Sequence, residues 1–364
     1  MSNVNPVAAL ARSVEAHVRE AWAERPGGAL RLAAAGFATA AGVRNLLYDS
    51  GILASRQAPV PIVSVGGLTV GGSGKTPITA DIAARLSAAG IPTAVVTHGF
   101  VDEMDAHRKL SPECRVYGGA DRLRLATMAA EEGARLVILD SGFQHRRLHR
   151  DLDILTVDER TLGLRLAHLP AGPYREGLES LARADMVVRV RRDLPESDGQ
   201  REAISSGPAA GRSLADRLAE LPGSPPFVAA RIRPGSAVAA NEAARGVPDP
   251  TPALAVAGIM WPEVFFAQAK MATASVRESV ALADHARFGN ALADSLRKRA
   301  GESGIICTLK DAMKLVRAVG DDVPVWYLSE EVEWERADAT PIPVRAALAL
   351  VSMQALHSDR EGPS

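Results

Sequence analysis

Residues 62–77 read Ile62-Val63-Ser64-Val65-Gly66-Gly67-Leu68-Thr69-Val70-Gly71-Gly72-Ser73-Gly74-Lys75-Thr76-Pro77. The apolar, β-branched opening predicts a buried strand over 62–65, and the spacing from Pro77 to Leu86 predicts a helix. Between them lies a glycine-rich turn ending in Lys-Thr. The strict phosphate-loop pattern is Gly, four residues, then Gly-Lys-Ser/Thr. Thr69 occupies the first position, so the strict pattern is missed there, whereas Gly71, Gly72, Ser73, Gly74, Lys75 and Thr76 are in place. Glycines at these positions let successive backbone N–H groups turn towards phosphate oxygens, and the helix that follows presents a partial positive charge to them. In such a loop Lys75 reaches the β- and γ-phosphates of ATP and the Thr76 hydroxyl ligates Mg²⁺.

Working outward, strands and helices alternate. Thr93–Thr97, Leu136–Leu139, Ile154–Val157 and Met186–Val188 are expected strands, and Leu123–Glu132 an expected helix. This order predicts an α/β fold with a mostly parallel, P-loop NTPase-like sheet covered on both faces. Residues 191–226, rich in charge, Gly, Ser and Pro, read as a variable connection. From Phe227 a second alternating stretch begins, with apolar runs at Ala253–Ala257, Gly304–Cys307 and Val323–Leu328. The expected organisation is an N-terminal helical region over residues 1–50, a P-loop domain over 51–226, and a smaller α/β domain over 227–364.

Leu136-Val137-Ile138-Leu139-Asp140 has the form of a buried strand ending in a carboxylate. Ser141-Gly142-Phe143-Gln144-His145 then turns at the carboxyl end of the sheet, where open α/β sheets place ligands. Asp140 is therefore the candidate Mg²⁺ partner; a lone Asp at a strand end also serves as a turn former or helix cap. The basic run His145–Arg150 reads either as a phosphate-facing segment or as a solvated surface.

The formal net charge of −1 gives no electrostatic reason to expect nucleic-acid binding. Cys114 and Cys307 form no metal or redox pattern and fit a reducing, cytosolic compartment. With 47% hydrophobic but only 4% aromatic residues, the core must be built mainly from aliphatic side chains. No secretory signal is expected, because the first residues are interrupted by Arg12, Glu15, Arg19 and Glu20. The uncharged run Leu32–Val43 is shorter than the roughly 20 residues that span a bilayer. Asn5-Pro6 starts a helix bearing Leu10, Val14, Val18 and Trp22, and a second stripe comprises Leu30, Ala34, Phe37, Ala41 and Tyr48 with Arg31 and Arg44 nearby. Periodicity leaves two readings of this region open: helices packed on the main domain, or a surface resting on lipid.

Several blocks together resemble the tetraacyldisaccharide 4′-kinase family of lipid A biosynthesis. They are Val70–Pro77, Asp140–His145, Leu148–Ile154, Leu169–Glu176, Gly258–Phe266 around Trp261-Pro262-Glu263, Asp284-His285 and Thr308–Ala312, in order along the chain. The family's own loop also lacks the first glycine of the strict pattern. The resemblance implies transfer of the ATP γ-phosphate to the 4′-hydroxyl of a tetraacylated glucosamine disaccharide 1-phosphate, a lipid A precursor. It implies a peripheral protein on the cytoplasmic side of the inner membrane, touching the membrane surface through its N-terminal helices. It also implies a catalytic acid paired with His285, which taken alone reads as a capping or surface histidine; Gln144, His145 and Arg175 are candidate substrate contacts, Arg175 for a phosphate unless it forms an ordinary salt bridge.

The chain departs from the family pattern at identifiable places. Ser141 stands where a second aspartate is usual, and Thr97-His98-Gly99-Phe100 where Ser-Arg-Gly-Tyr is usual. Gly119-Ala120-Asp121-Arg122 replaces Gly-Asp-Glu-Pro, and Leu309 replaces a glutamate. Ungapped, Ala120 takes the place of the catalytic aspartate; a slide by one residue assigns that role to Asp121. Three expectations follow: an active kinase using Asp121 and His285, a catalytically impaired homologue that binds ATP as a regulatory or binding protein, or an unrelated soluble P-loop enzyme acting on a small molecule.

Overall fold

The computed structural model describes residues 27–163, 167–193, 225–247, 249–284, 286, 288–335 and 340–360. The expected helix from Asn5 to Trp22 and the candidate His285 lie outside the described residues. The described chain divides into two units, a larger one comprising 28–191, 225–231 and 332–360, and a smaller one comprising 192–193 and the described part of 232–331.

In the larger unit a helix, α1 (Gly28–Asp49), precedes β1 (Ile62–Gly67), α2 (Lys75–Ala88), β2 (Thr93–Thr97), α3 (Val101–Leu110), β3 (Arg115–Gly118), α4 (Arg122–Glu131), β4 (Leu136–Asp140), β5 (Leu152–Asp158) and β6 (Met186–Arg192). The strand order is β3-β2-β4-β1-β5-β6, and the neighbours run parallel. Every residue of β1, β2 and β4 is buried, as expected of strands covered on both faces. One cover is α2, whose Ile78, Ile82, Ala83 and Leu86 recur at helical spacing and are all buried. Because β1 and β4 are parallel neighbours with Val65 opposite Asp140, their carboxyl ends deliver the glycine loop and Asp140 to the same edge of the sheet.

The C-terminal boundary differs from the sequence expectation. A last helix, residues 342–360, packs against α2 and β5 in the larger unit, and it buries Val344, Ala347 and Val351 there. Its three-and-four spacing is that of a covering helix, and nothing in the local sequence says which sheet it covers.

The smaller unit contains the later part of β7 (Phe227–Ala239), α5 (Glu242–Arg245), β8 (Leu254–Ala257), α6 (Pro262–Ala272), β9 (Glu278–Ala281), α7 (Asn290–Ala300), β10 (Ile305–Cys307), α8 (Leu309–Val319) and most of β11 (Val325–Trp334). Its strands follow the order β11-β10-β8-β9, and these neighbours are parallel. Strand alternation builds two cores. Leu254, Val256, Ile305, Cys307, Val325 and Tyr327 pack with Leu296, Leu315 and Val319. Their neighbours Ala255, Ala257, Ile306, Trp326 and Leu328 pack with Phe265 and Ala269. At the head of α8 the Thr308 hydroxyl accepts from Asp311 N at 3.2 Å and donates to Asp311 Oδ2 at 2.7 Å. The same carboxylate accepts from Gly258 N at 2.8 Å. The Thr308–Ala312 block is thus a staple between the ends of β8 and β10.

Candidate active site

The site is built from the carboxyl ends of β1 and β4. Gly66, at the end of β1, has no room for a side chain: a Cβ there would lie 2.3 Å from Phe143 Cβ and 2.9 Å from Phe143 N. The turn after β4 is therefore packed directly onto the strand that feeds the loop. Gln144 reinforces this contact, Nε2 donating to Gly67 O at 3.0 Å. Within the loop, Gly71 has φ 83° and Gly74 has φ 82°, a left-handed backbone that side chains resist. Gly74 caps α2 with no side-chain hydrogen bond to the helix end, so the first N–H groups of the helix remain a site for anions.

The loop is clamped from outside by the Leu169–Glu176 block. Val70 N donates to Pro173 O at 2.9 Å, Arg175 N donates to Leu68 O at 2.7 Å, and Thr69 forms an antiparallel bridge with Tyr174. Thr69 is thereby buried as part of the clamp. Inside the loop, Lys75 Nζ donates to Ser73 Oγ at 3.2 Å. Ser73 Oγ lies 3.1 Å from Thr156 Oγ1, which donates to Gly66 O at 3.0 Å.

Asp140, 3% exposed, is the hub. Thr76 Oγ1 donates to its Oδ2 at 3.1 Å and Ser141 Oγ donates to its Oδ1 at 3.1 Å. His107, on α3 and fully buried, places Nε2 2.8 Å from Oδ2. Since a carboxylate accepts, that nitrogen carries the proton. Ser141 adopts φ 59°, and its carbonyl accepts from Arg122 Nη1 at 3.0 Å. The Thr76 hydroxyl and Asp140 carboxylate are hard oxygen donors on adjacent elements, the chemistry suited to Mg²⁺ held together with phosphates and water. Among the described residues no group of three or more His, Cys, Asp or Glu side chains forms a metal cage.

Cations dominate the surroundings. The pKa of His98 is lowered to about 4, first by partial burial, then by the charges of Arg122 and Arg175, with Lys75 adding and Asp140 opposing. His145 is lowered to about 4 by burial and by Arg122, His98, Arg150 and Arg147. Both imidazoles are therefore neutral at neutral pH. Burial also lowers the pKa of Arg122, against the opposing charges of Asp140 and Glu103.

The structure thus gathers Thr69, Gly71–Thr76, Asp140 and Gln144 around one edge of the sheet, and the Arg175 charge is felt at His98 beside it. Asp121 is placed differently: it is exposed, caps α4, and accepts from Arg124 N at 3.2 Å through Oδ1. Arg150 of the basic run turns inward, pairing with Asp153 at 2.8 Å. Sequence reasoning did not single out His107 or the inward-facing Arg122. Each belongs to a polar stretch, and periodicity carries no signal for a buried polar side chain.

Fold and loop together define a P-loop NTPase-like α/β protein. The family model for tetraacyldisaccharide-1-P 4′-kinase matches residues 28–112 and 107–342, and the chain belongs to that family. Its relatives include the tetraacyldisaccharide 4′-kinases of Geobacter sulfurreducens, 32% identical over 88% of this chain and 92% of the relative, and of Anaeromyxobacter sp. strain K, 32% identical over 90% and 94%. The fold is similar to that of LpxK from Aquifex aeolicus, solved in complex with ATP, with TM-score 0.63 at 24% identity over 86% of this chain and 96% of that one.

Proposed function

We propose that this chain transfers the γ-phosphate of ATP to the 4′-hydroxyl of a tetraacyldisaccharide 1-phosphate. The observation that carries the reading is the pairing of Thr76 with Asp140 directly after a glycine loop that ends in Lys75. Phosphoryl transfer asks little covalent chemistry of a protein; it needs cations on the phosphates and a group that positions the attacking hydroxyl. Lys75 and the α2 N-terminus would bind the phosphates. Thr76 and Asp140 would hold Mg²⁺, which supplies charge neutralisation on the β- and γ-oxygens. His107 and Ser141 hold both carboxylate oxygens of Asp140 in place.

Asp121 is the proposed proton acceptor for the sugar hydroxyl, with His285 as its partner. What supports that role is its place one residue before Arg122, whose guanidinium reaches the Ser141 carbonyl beside Asp140. Gln144, His145 and Arg175 are proposed to face the acceptor. The protein is proposed to work at the cytoplasmic surface of the inner membrane, a reading supported by α1. Only Ala34 of that helix is buried, while Leu32, Val43 and Leu46, which share the opposite face, are exposed at 77%, 52% and 66%. An exposed apolar row of this kind suits a lipid interface. Among the described residues no helix is long and apolar enough to cross a membrane.

A second reading, a nucleotide-binding homologue without transfer, is favoured by Ser141 and Ala120 at positions where the family carries aspartates. One experiment separates the two: the purified chain with labelled ATP, Mg²⁺ and tetraacyldisaccharide 1-phosphate. Label in the lipid is the expected result. Retained ATP binding with no labelled lipid would overturn the kinase reading in favour of the second.

A further inference from the structure

Arg122 is 1% exposed, a rare position for a guanidinium. Burying such a charge is costly unless it is paired and its donors are satisfied. Nη1 donates to a neutral partner, the Ser141 carbonyl. Nη2 is buried with no hydrogen-bond partner among the described residues. The nearby carboxylate of Asp140 is already engaged by Thr76, Ser141 and His107. Arg122, Arg175 and Lys75 all raise the local positive potential felt at His98, and Asp140 opposes them there. The surroundings call for a multiply charged anion with oxygen acceptors, the ligand that a guanidinium fork suits best.

We propose that Arg122 is a second cation on the terminal phosphate of the bound nucleotide, with Nη1 held by Ser141 and Nη2 donating to a phosphate oxygen. The position along the site selects that phosphate. Arg122 is bonded to Ser141, Ser141 to Asp140, and Asp140 to Thr76, the residue after Lys75 and hence at the β/γ end of the loop. The guanidinium thereby adds positive charge beside Ser141, where the chain has one carboxylate fewer than its family pattern.

This assignment rests on the reading that the glycine loop takes ATP, and the test keeps the two apart. Affinities for Mg²⁺-ADP and for the Mg²⁺ complex of the β,γ-imido analogue of ATP are measured by titration calorimetry on wild type, Arg122→Lys and Arg122→Gln, with no lipid acceptor present. The expected result for Arg122→Gln is a loss of roughly tenfold or more for the triphosphate, the scale of a charged hydrogen bond. ADP affinity should hold within about threefold, and Arg122→Lys should fall between. Equal losses for both nucleotides, or no loss for either, would overturn the assignment and leave the nucleotide site intact. In a separate turnover assay with the acceptor added, a raised KM for the disaccharide beside unchanged nucleotide affinity would also overturn it, moving Arg122 to the acceptor. If neither variant folds, Arg122 serves to hold the Ser141 turn and the assignment fails. A wild type that binds neither nucleotide refutes the ATP reading itself.

Discussion

Replacing His107 isolates the hydrogen bond that fixes Asp140. The imidazole is fully buried and its Nε2 lies 2.8 Å from Asp140 Oδ2, while its Nδ1 has no hydrogen-bond partner among the described residues. One donor therefore does the polar work, and a glutamine amide, whose nitrogen falls near the position of Nε2, can reproduce it. His107→Gln should cost no more than about 1.5 kcal/mol, the penalty for a modest change of shape in a packed interior. His107→Leu has comparable bulk and no donor. It should lose a further ~1.5–3 kcal/mol, the net worth of a hydrogen bond to a charged group. Urea unfolding followed by circular dichroism reads both values from midpoints at constant slope. Both variants should keep native secondary structure, and the leucine variant should also lose Mg²⁺-dependent nucleotide affinity, because Asp140 is then restrained by fewer donors. A leucine variant at least as stable as the glutamine variant would refute the reasoning, leaving His107 as mere packing.

Gly66→Ala places a methyl group 2.3 Å from Phe143 Cβ and 2.9 Å from backbone, so it should destabilise the chain by ~1–3 kcal/mol or more and weaken nucleotide binding together; thermal unfolding with and without ATP checks both. For His98 and His145 the folded-state pKa of about 4 lies below the ordinary 6.5. The unfolded chain therefore binds more protons between those values, and stability should be complete above about pH 6.5 and fall as pH drops towards 4. His145→Asn should flatten that slope in unfolding midpoints measured from pH 7.5 to 5, and an unchanged slope would show that the imidazole is not held neutral. Asp311→Ala removes the acceptor of Gly258 N and Thr308 Oγ1. Leaving these without their shared acceptor should cost ~2–4 kcal/mol, with Asp311→Asn milder because one amide oxygen can still accept; urea midpoints decide it.

The parts of this molecule that could be read from the chain are those where burial and apolarity coincide. Ile62–Val65 and Leu136–Leu139 are aliphatic because both faces of their strands are covered, and the phosphate loop was legible because its backbone demands glycine. The strand β3 escaped the same reading. It lies at the end of the sheet order with a burial pattern from exposed to intermediate, so its Arg115-Val116-Tyr117-Gly118 carries no alternation. The helix α3 escaped for a sharper reason. Its buried residues are Asp102, Ala106 and His107, a helical face that is mostly polar, which a hydrophobicity pattern registers as surface. Arg122 follows the same logic one element later.

These omissions have a common cause with functional consequences. A strand ending in Asp140 is visible by its apolar body, but the groups that set what Asp140 can do, His107 and Ser141, and through Ser141 Arg122, are polar side chains bonded to it or to its neighbour. Their partners come from segments distant in sequence, so no local spacing records them. The departures at His98, Ser141 and Arg122 then read as one altered environment rather than as independent losses. A second carboxylate is absent from the place next to Asp140, and a buried guanidinium is bonded to the residue that replaces it. An added carboxylate at 141 would stand beside both Asp140 and Arg122. Ser141→Asp should therefore change nucleotide affinity only modestly in the wild-type background and markedly when Arg122 is glutamine. A double-mutant cycle on triphosphate affinity measures that coupling directly, and additive effects would show that Arg122 and position 141 act independently.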